Sequence, residues 1–81
     1  MITKYQVRMA RIALGWGVRD LGQKSGLATG TIARVEAGKE SMAGSLRKIR
    51  QTLEDAGIDF PDEFTVSCRR MLDRVETEAH P

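Results

Sequence analysis

The sequence is poor in the residues that most chemistry requires. It has one cysteine, Cys68, which excludes an internal disulfide. It has one histidine, His80, near its far end. Neither has neighbours at zinc-ligand spacing, so no metal centre is expected. No nucleophile, base and acid stand in a catalytic pattern, so no enzyme activity and no cofactor are expected. No apolar run exceeds three residues, which excludes a transmembrane helix from the reading. The N-terminus has neither an apolar core segment nor a small-residue cleavage site. With a single thiol, this reads as a reduced, cytoplasmic chain. Internal repeats and low-complexity tracts are lacking too. At 81 residues the chain has no room for a Rossmann fold, a barrel or a deep cleft.

What is present is an ordinary globular composition, 41% hydrophobic and 30% charged. The formal charge of +2 hides an asymmetry. Residues 1–53 sum to +7 and residues 54–81 to −5. A basic body suits a polyanionic partner, and an acidic tail suits a different task.

Helical patterns fill the first two thirds. Thr3 followed by Gln6 reads as a capping box. Val7, Ala10, Ile12, Ala13 and Leu14 make the apolar stripe of the helix that follows, and Gly15 ends it. A second helix is expected from Val18 to Ser25, with Gly26 in the turn, and a third from Thr29 to Ala37, closed by Gly38. A fourth starts near Ser45 or Ser41, buries Leu46, Ile49 and Leu53, and stops at Gly57. Beyond this, the apolar residues fit both the helical and the extended period. The favoured reading is an extended piece to about Ser67 and a helix from there to about Glu78. The expected fold is thus all-α, a compact bundle of about five helices with a short extended segment near 58–67. Residues 1–57 form the main domain and 58–81 a C-terminal extension.

Residues 18–37 carry the most specific pattern. Two short helices that cross steeply need a small residue at the crossing and a glycine in the turn. Gly22 and Gly26 meet these needs, and Leu21, Leu27, Ile32 and Val35 seal the pair. This is a helix-turn-helix pattern. Its surroundings, Leu14-Gly15-Trp16, Thr31-Ile32-Ala33-Arg34 with Glu36 and Gly38, and Ser45-Leu46-Arg47-Lys48-Ile49, resemble the lambda-repressor-like (Xre/Cro-type) helix-turn-helix family over about residues 5–60.

The resemblance implies a reader of operator DNA, usually a symmetric dimer. Its third helix would enter the major groove and present Ala28, Thr29, Gly30, Ala33 and Arg34 to base edges. Arg34 has the reach to grip guanine O6 and N7, with a phosphate contact or a solvated helix face as its plain alternatives. Thr29 would pack on a thymine methyl or donate to a phosphate. Thr31 matches a phosphate-contacting position, and a local helix cap is its plain alternative. Arg19, Lys24, Lys39, Arg47 and Lys48 are the remaining phosphate candidates. The N-terminal ends of the second and fourth helices would add their partial positive charge. Arg11 and Glu36 match a family ion pair that is structural. The chain departs from the family at Val18, where glutamine is common, and at Ala28, Thr29, Gly30 and Ala33, where polar groups are common. Thymine methyls and DNA shape would then carry more of the specificity. Trp16 reads as core packing rather than a stacking platform.

The tail offers Ile58, Phe60, Phe64, Val66, Met71, Leu72 and Val75. They are expected to form a homodimer interface, with completion of the chain's own core as the alternative. The expected function is a sequence-specific transcriptional regulator of a mobile element, a prophage or its own promoter, binding an inverted repeat in double-stranded DNA. The alternative is an antitoxin or protein-binding adaptor with autoregulatory DNA binding, whose tail neutralises a toxin.

Overall fold

A computed structural model describes residues 2–68 of the chain. Helix α1 spans Lys4–Ala13. Thr3 Oγ1 accepts from the Gln6 backbone N–H at 3.1 Å, and Gln6 Oε1 accepts from the Thr3 N–H at 3.0 Å. This is the capping box read from the sequence. Helix α2 spans Val18–Ser25, α3 Thr29–Glu36 and α4 Ala43–Asp55. Helix α4 begins between the two starts expected from the sequence. Met42 is its N-cap, and no side chain caps it. Two short strands follow, β1 (Ile58–Asp59) and β2 (Ser67–Cys68), paired antiparallel with Ile58 opposite Cys68.

The described fold is therefore mostly helical, with four helices rather than about five and one two-stranded sheet. The extended reading holds at the strands, but the expected helix does not begin at Ser67. Ser67 and Cys68 pair with β1 instead. The rest of that expected helix lies outside the described residues.

The crossing of α2 and α3 explains two glycines. A Cβ built on Gly22 would stand 2.9 Å from the Leu27 carbonyl oxygen, closer than a methyl group tolerates. Gly26 turns the chain with φ +75°, a left-handed conformation that strains other residues. Its neighbour Leu27 then donates its N–H back to the Gly22 carbonyl at 2.9 Å.

The core draws on every element. Ile2, Val7, Ala10, Leu21, Ile32, Val35, Ile49, Leu53 and Ile58 are buried together. Leu14, Trp16, Leu27, Leu46, Phe60 and Val66 pack around them. Two sequence expectations change here. Ile12, placed in the inner stripe of α1, is 60% exposed, because the helix turns it to the outer face with Tyr5 and Met9. Ile58, assigned to a dimer interface, is fully buried within its own chain. A two-stranded hairpin is marginal alone and needs such packing.

Gln6 fixes the hairpin in place. Its side chain is buried, and its Nε2 donates to the carbonyls of Asp62 at 2.6 Å and Thr65 at 3.0 Å. The turn is braced by Asp62, whose carboxylate accepts from the Phe64 N–H and the Thr65 hydroxyl at 2.8 and 3.1 Å.

Candidate nucleic-acid interface

Helix α3 has two contrasting faces. Ile32 and Val35 are buried against the core. Ala28, Thr29, Gly30, Ala33 and Arg34 are all exposed. Gly30 and Arg34 stand four residues apart, as do Thr29 and Ala33, so each pair shares one side of the helix. The sequence-assigned base-facing residues thus form one open surface at the start and middle of α3. Thr31 is half-buried beside them.

The N-terminus of α3 has no side-chain cap, since Ala28 is the N-cap. Its first backbone N–H groups point out of the helix end, where an anion is favoured. Helix α4 also lacks a side-chain cap. Helix α2 differs, because Asp20 Oδ2 accepts from the Gly17 N–H at 2.7 Å. A carboxylate already occupies that end, which weakens the expectation of a phosphate there.

The basic side chains assigned to phosphate are all exposed: Arg19 on α2, Lys24 on its last turn, Lys39 after α3, and Arg47 and Lys48 on α4. Lys24 Nζ sits 5.2 Å from the centroid of the Trp16 ring. The indole is half-buried against the core and holds the ammonium by its ring face. Arg34 Nη2 donates to the Glu40 carbonyl at 3.3 Å. That long contact leans the guanidinium toward the loop that leads to α4. Arg34, Glu40, Ser41 and Met42 together line a shallow groove there.

The orientation of α3 rests on Arg11. Its Nε and Nη2 donate to the two carboxylate oxygens of Glu36 at 2.7 and 2.9 Å. Its Nη1 donates to the Trp16 carbonyl at 3.0 Å. One guanidinium therefore joins α1, the corner after it and the end of α3. The two side chains are only 13% and 10% exposed. The hydrogen bond to Glu36 raises the Arg11 pKa above its ordinary value, burial opposes this, and the charge of Glu36 adds to the rise.

Sequence reasoning missed several of these contacts. Gln6 was legible as a capping residue, but its bonds to Asp62 and Thr65 leave no local pattern. The Glu40 carbonyl and the Trp16 carbonyl are backbone acceptors, which no residue type announces. Asp20 was missed too, although a carboxylate three residues after Gly17 is a signal that could have found it.

Of the assigned dimer residues, Phe60 and Val66 pack against the core, and Phe64 is 86% exposed. Met71, Leu72 and Val75 lie outside the described residues. Among the described residues no helix is long and apolar enough to cross a membrane, and no cluster of His, Cys, Asp or Glu is arranged to hold a metal.

No protein-family model matches the chain, and no curated protein matches it.

Proposed function

We propose that the protein is a sequence-specific double-stranded-DNA-binding regulator of the lambda-repressor-like type. Helix α3 enters the major groove, and Thr29, Gly30, Ala33 and Arg34 meet base edges. The observation that supports this best is the open face of α3. It is uncovered, uncapped at its N-terminus and free of carboxylates from Ala28 to Val35. Arg34 supplies the long bidentate donor, and small side chains around it let the helix approach thymine methyls. Arg19, Lys24, Lys39, Arg47 and Lys48 supply phosphate contacts, and Arg11 with Glu36 holds the reading helix in place. A homodimer on an inverted repeat would occlude or recruit polymerase at a prophage, mobile-element or self-encoded promoter.

Selection of bound duplexes from a random pool, followed by titration against salt, tests this. The expected outcome is one enriched motif and an affinity that falls steeply as salt rises. Equal, weak binding to every duplex overturns it.

One observation favours a second reading, an adaptor or antitoxin that also binds DNA. Phe64 stands exposed on the hairpin turn between acidic Asp62 and Glu63 on one side and Thr65 on the other. A stoichiometric protein that co-purifies with the chain and is lost on Phe64→Glu would support that reading.

A further inference from the structure

Within residues 2–53 the carboxylates are Asp20, Glu36 and Glu40. The first two hold the fold. Asp20 accepts from the Gly17 N–H, and Glu36 accepts twice from Arg11. The Glu40 carboxylate has no hydrogen-bond or ion-pair partner among the described residues, and the residue is exposed. Arg34 stands close enough to neutralise it, yet its Nη2 donates to the Glu40 backbone carbonyl instead, at 3.3 Å. That bond places Glu40 beside the one long side chain of the α3 face. Arg34, Glu40, Ser41 and Met42 line the same groove, where Met42 presents an apolar side chain that is 78% exposed.

An unpaired acid is a poor fit to a surface that meets only phosphates, because like charges repel across the contact. Against base edges it has a use. A carboxylate accepts from the N4 amine of cytosine, as an arginine donates to guanine O6 and N7. We propose that Glu40 reads a base, taking a cytosine N4 amine in the base pair next to the guanine that Arg34 grips. This rests on the DNA reading above and adds the loop between α3 and α4 to it as a second reading element. Glu40 also acts by exclusion. It repels phosphate from the groove, so Arg34 is left to a base edge rather than the backbone. It rejects guanine and thymine at its own position, since both present acceptors there. Apolar Met42 limits the access of water, which strengthens a charge-assisted hydrogen bond.

Selection of duplexes from a random pool by the full chain, and by its Glu40→Ala, Glu40→Gln and Arg34→Ala variants, provides the test. The wild type is expected to enrich a guanine that Arg34→Ala releases, with a cytosine in the adjacent pair. Glu40→Ala should lower the preference for that cytosine about fivefold or more and leave the guanine preferred. Glu40→Gln should shift the position from cytosine toward adenine, because an amide bonds adenine N6 and N7 together. The helical circular-dichroism signal should not change, since the Glu40 carboxylate holds nothing in the fold. Tighter binding to every duplex with the motif unaltered overturns the proposal and leaves Glu40 as a charge that only repels phosphate. An unaltered motif at unaltered affinity overturns it too, as does a wild-type motif without the cytosine. These outcomes leave the regulator reading standing. A wild-type chain that enriches no motif removes that reading and this one with it.

Discussion

The side-chain amide of Gln6 donates to the carbonyl of Asp62 at 2.6 Å, joining residues 56 positions apart in the sequence. The same amide donates to Thr65, and its oxygen accepts from Thr3. A buried glutamine is tolerated here because its side chain finds a partner for every proton it can donate.

Replacing Gln6 with alanine leaves the Asp62 and Thr65 carbonyls and the Thr3 N–H without that partner. A loss of about 2–3 kcal/mol is expected in denaturant unfolding. Hydrogen exchange should also quicken at residues 61–66, because the turn loses its anchor.

Arg11→Met and Glu36→Leu should each lose about 3 kcal/mol, since each strands a half-buried charge. The double variant should recover most of that loss, and a double-mutant cycle measures the coupling. The Arg11 pKa is raised in the folded state, so its contribution is complete below the unfolded-state value and fades only as pH rises through the folded one. Arg11 therefore adds no pH dependence across the neutral range. Thermal unfolding of wild type and Arg11→Met between pH 6 and 9 should show a constant gap.

Gly22→Ala should destabilise by about 1–3 kcal/mol, because the methyl group meets backbone rather than a side chain that can swing aside. Gly26→Ala should cost about 1–2 kcal/mol through its left-handed backbone alone. Only Gly22→Ala is expected to push α3 away from α2. Operator affinity at a temperature where both variants are folded separates the two effects.

Arg34→Ala should lose about 1–3 kcal/mol of preference for the correct base at one operator position. Lys39→Ala should weaken all duplexes alike and lower the salt slope by about one. Competition titrations with single-base operator variants distinguish them.

Ile58→Ala should cost about 2–5 kcal/mol, as for a core residue, with no dependence on protein concentration. A loss that vanishes at high concentration would return Ile58 to an interface.

The helical part of this fold was legible because local physics repeats there. A capping box, glycines at helix ends and the spacing of Ile32 and Val35 each leave a mark within a few residues. The hairpin was legible only in part, because Phe60, Phe64 and Cys68 fit both periods while Ile58 and Val66 fit the extended one alone. Packing against α1 and α4 decides between them, and that choice is tertiary. Ile12 was misplaced for a related reason. The apolar residues of α1 occupy two faces, and periodicity alone does not say which one a core will cover. The exposed residues of α3 could be named in advance, since two sealed inner positions on a short helix leave the others outside. The contacts of Arg34 with a carbonyl, and of Lys24 with Trp16, needed coordinates.

The bond between Gln6 and the hairpin also sets an order of events during synthesis. A nascent chain that has emerged only through α4 already contains the α2–α3 crossing, yet its core still lacks Ile58 and Gln6 still lacks two acceptors. Ile58, then Asp62 and Thr65, must leave the ribosome before the amide of Gln6 is satisfied and the core is filled. The core is thus complete only once the hairpin has appeared, and full native stability is expected no earlier than that.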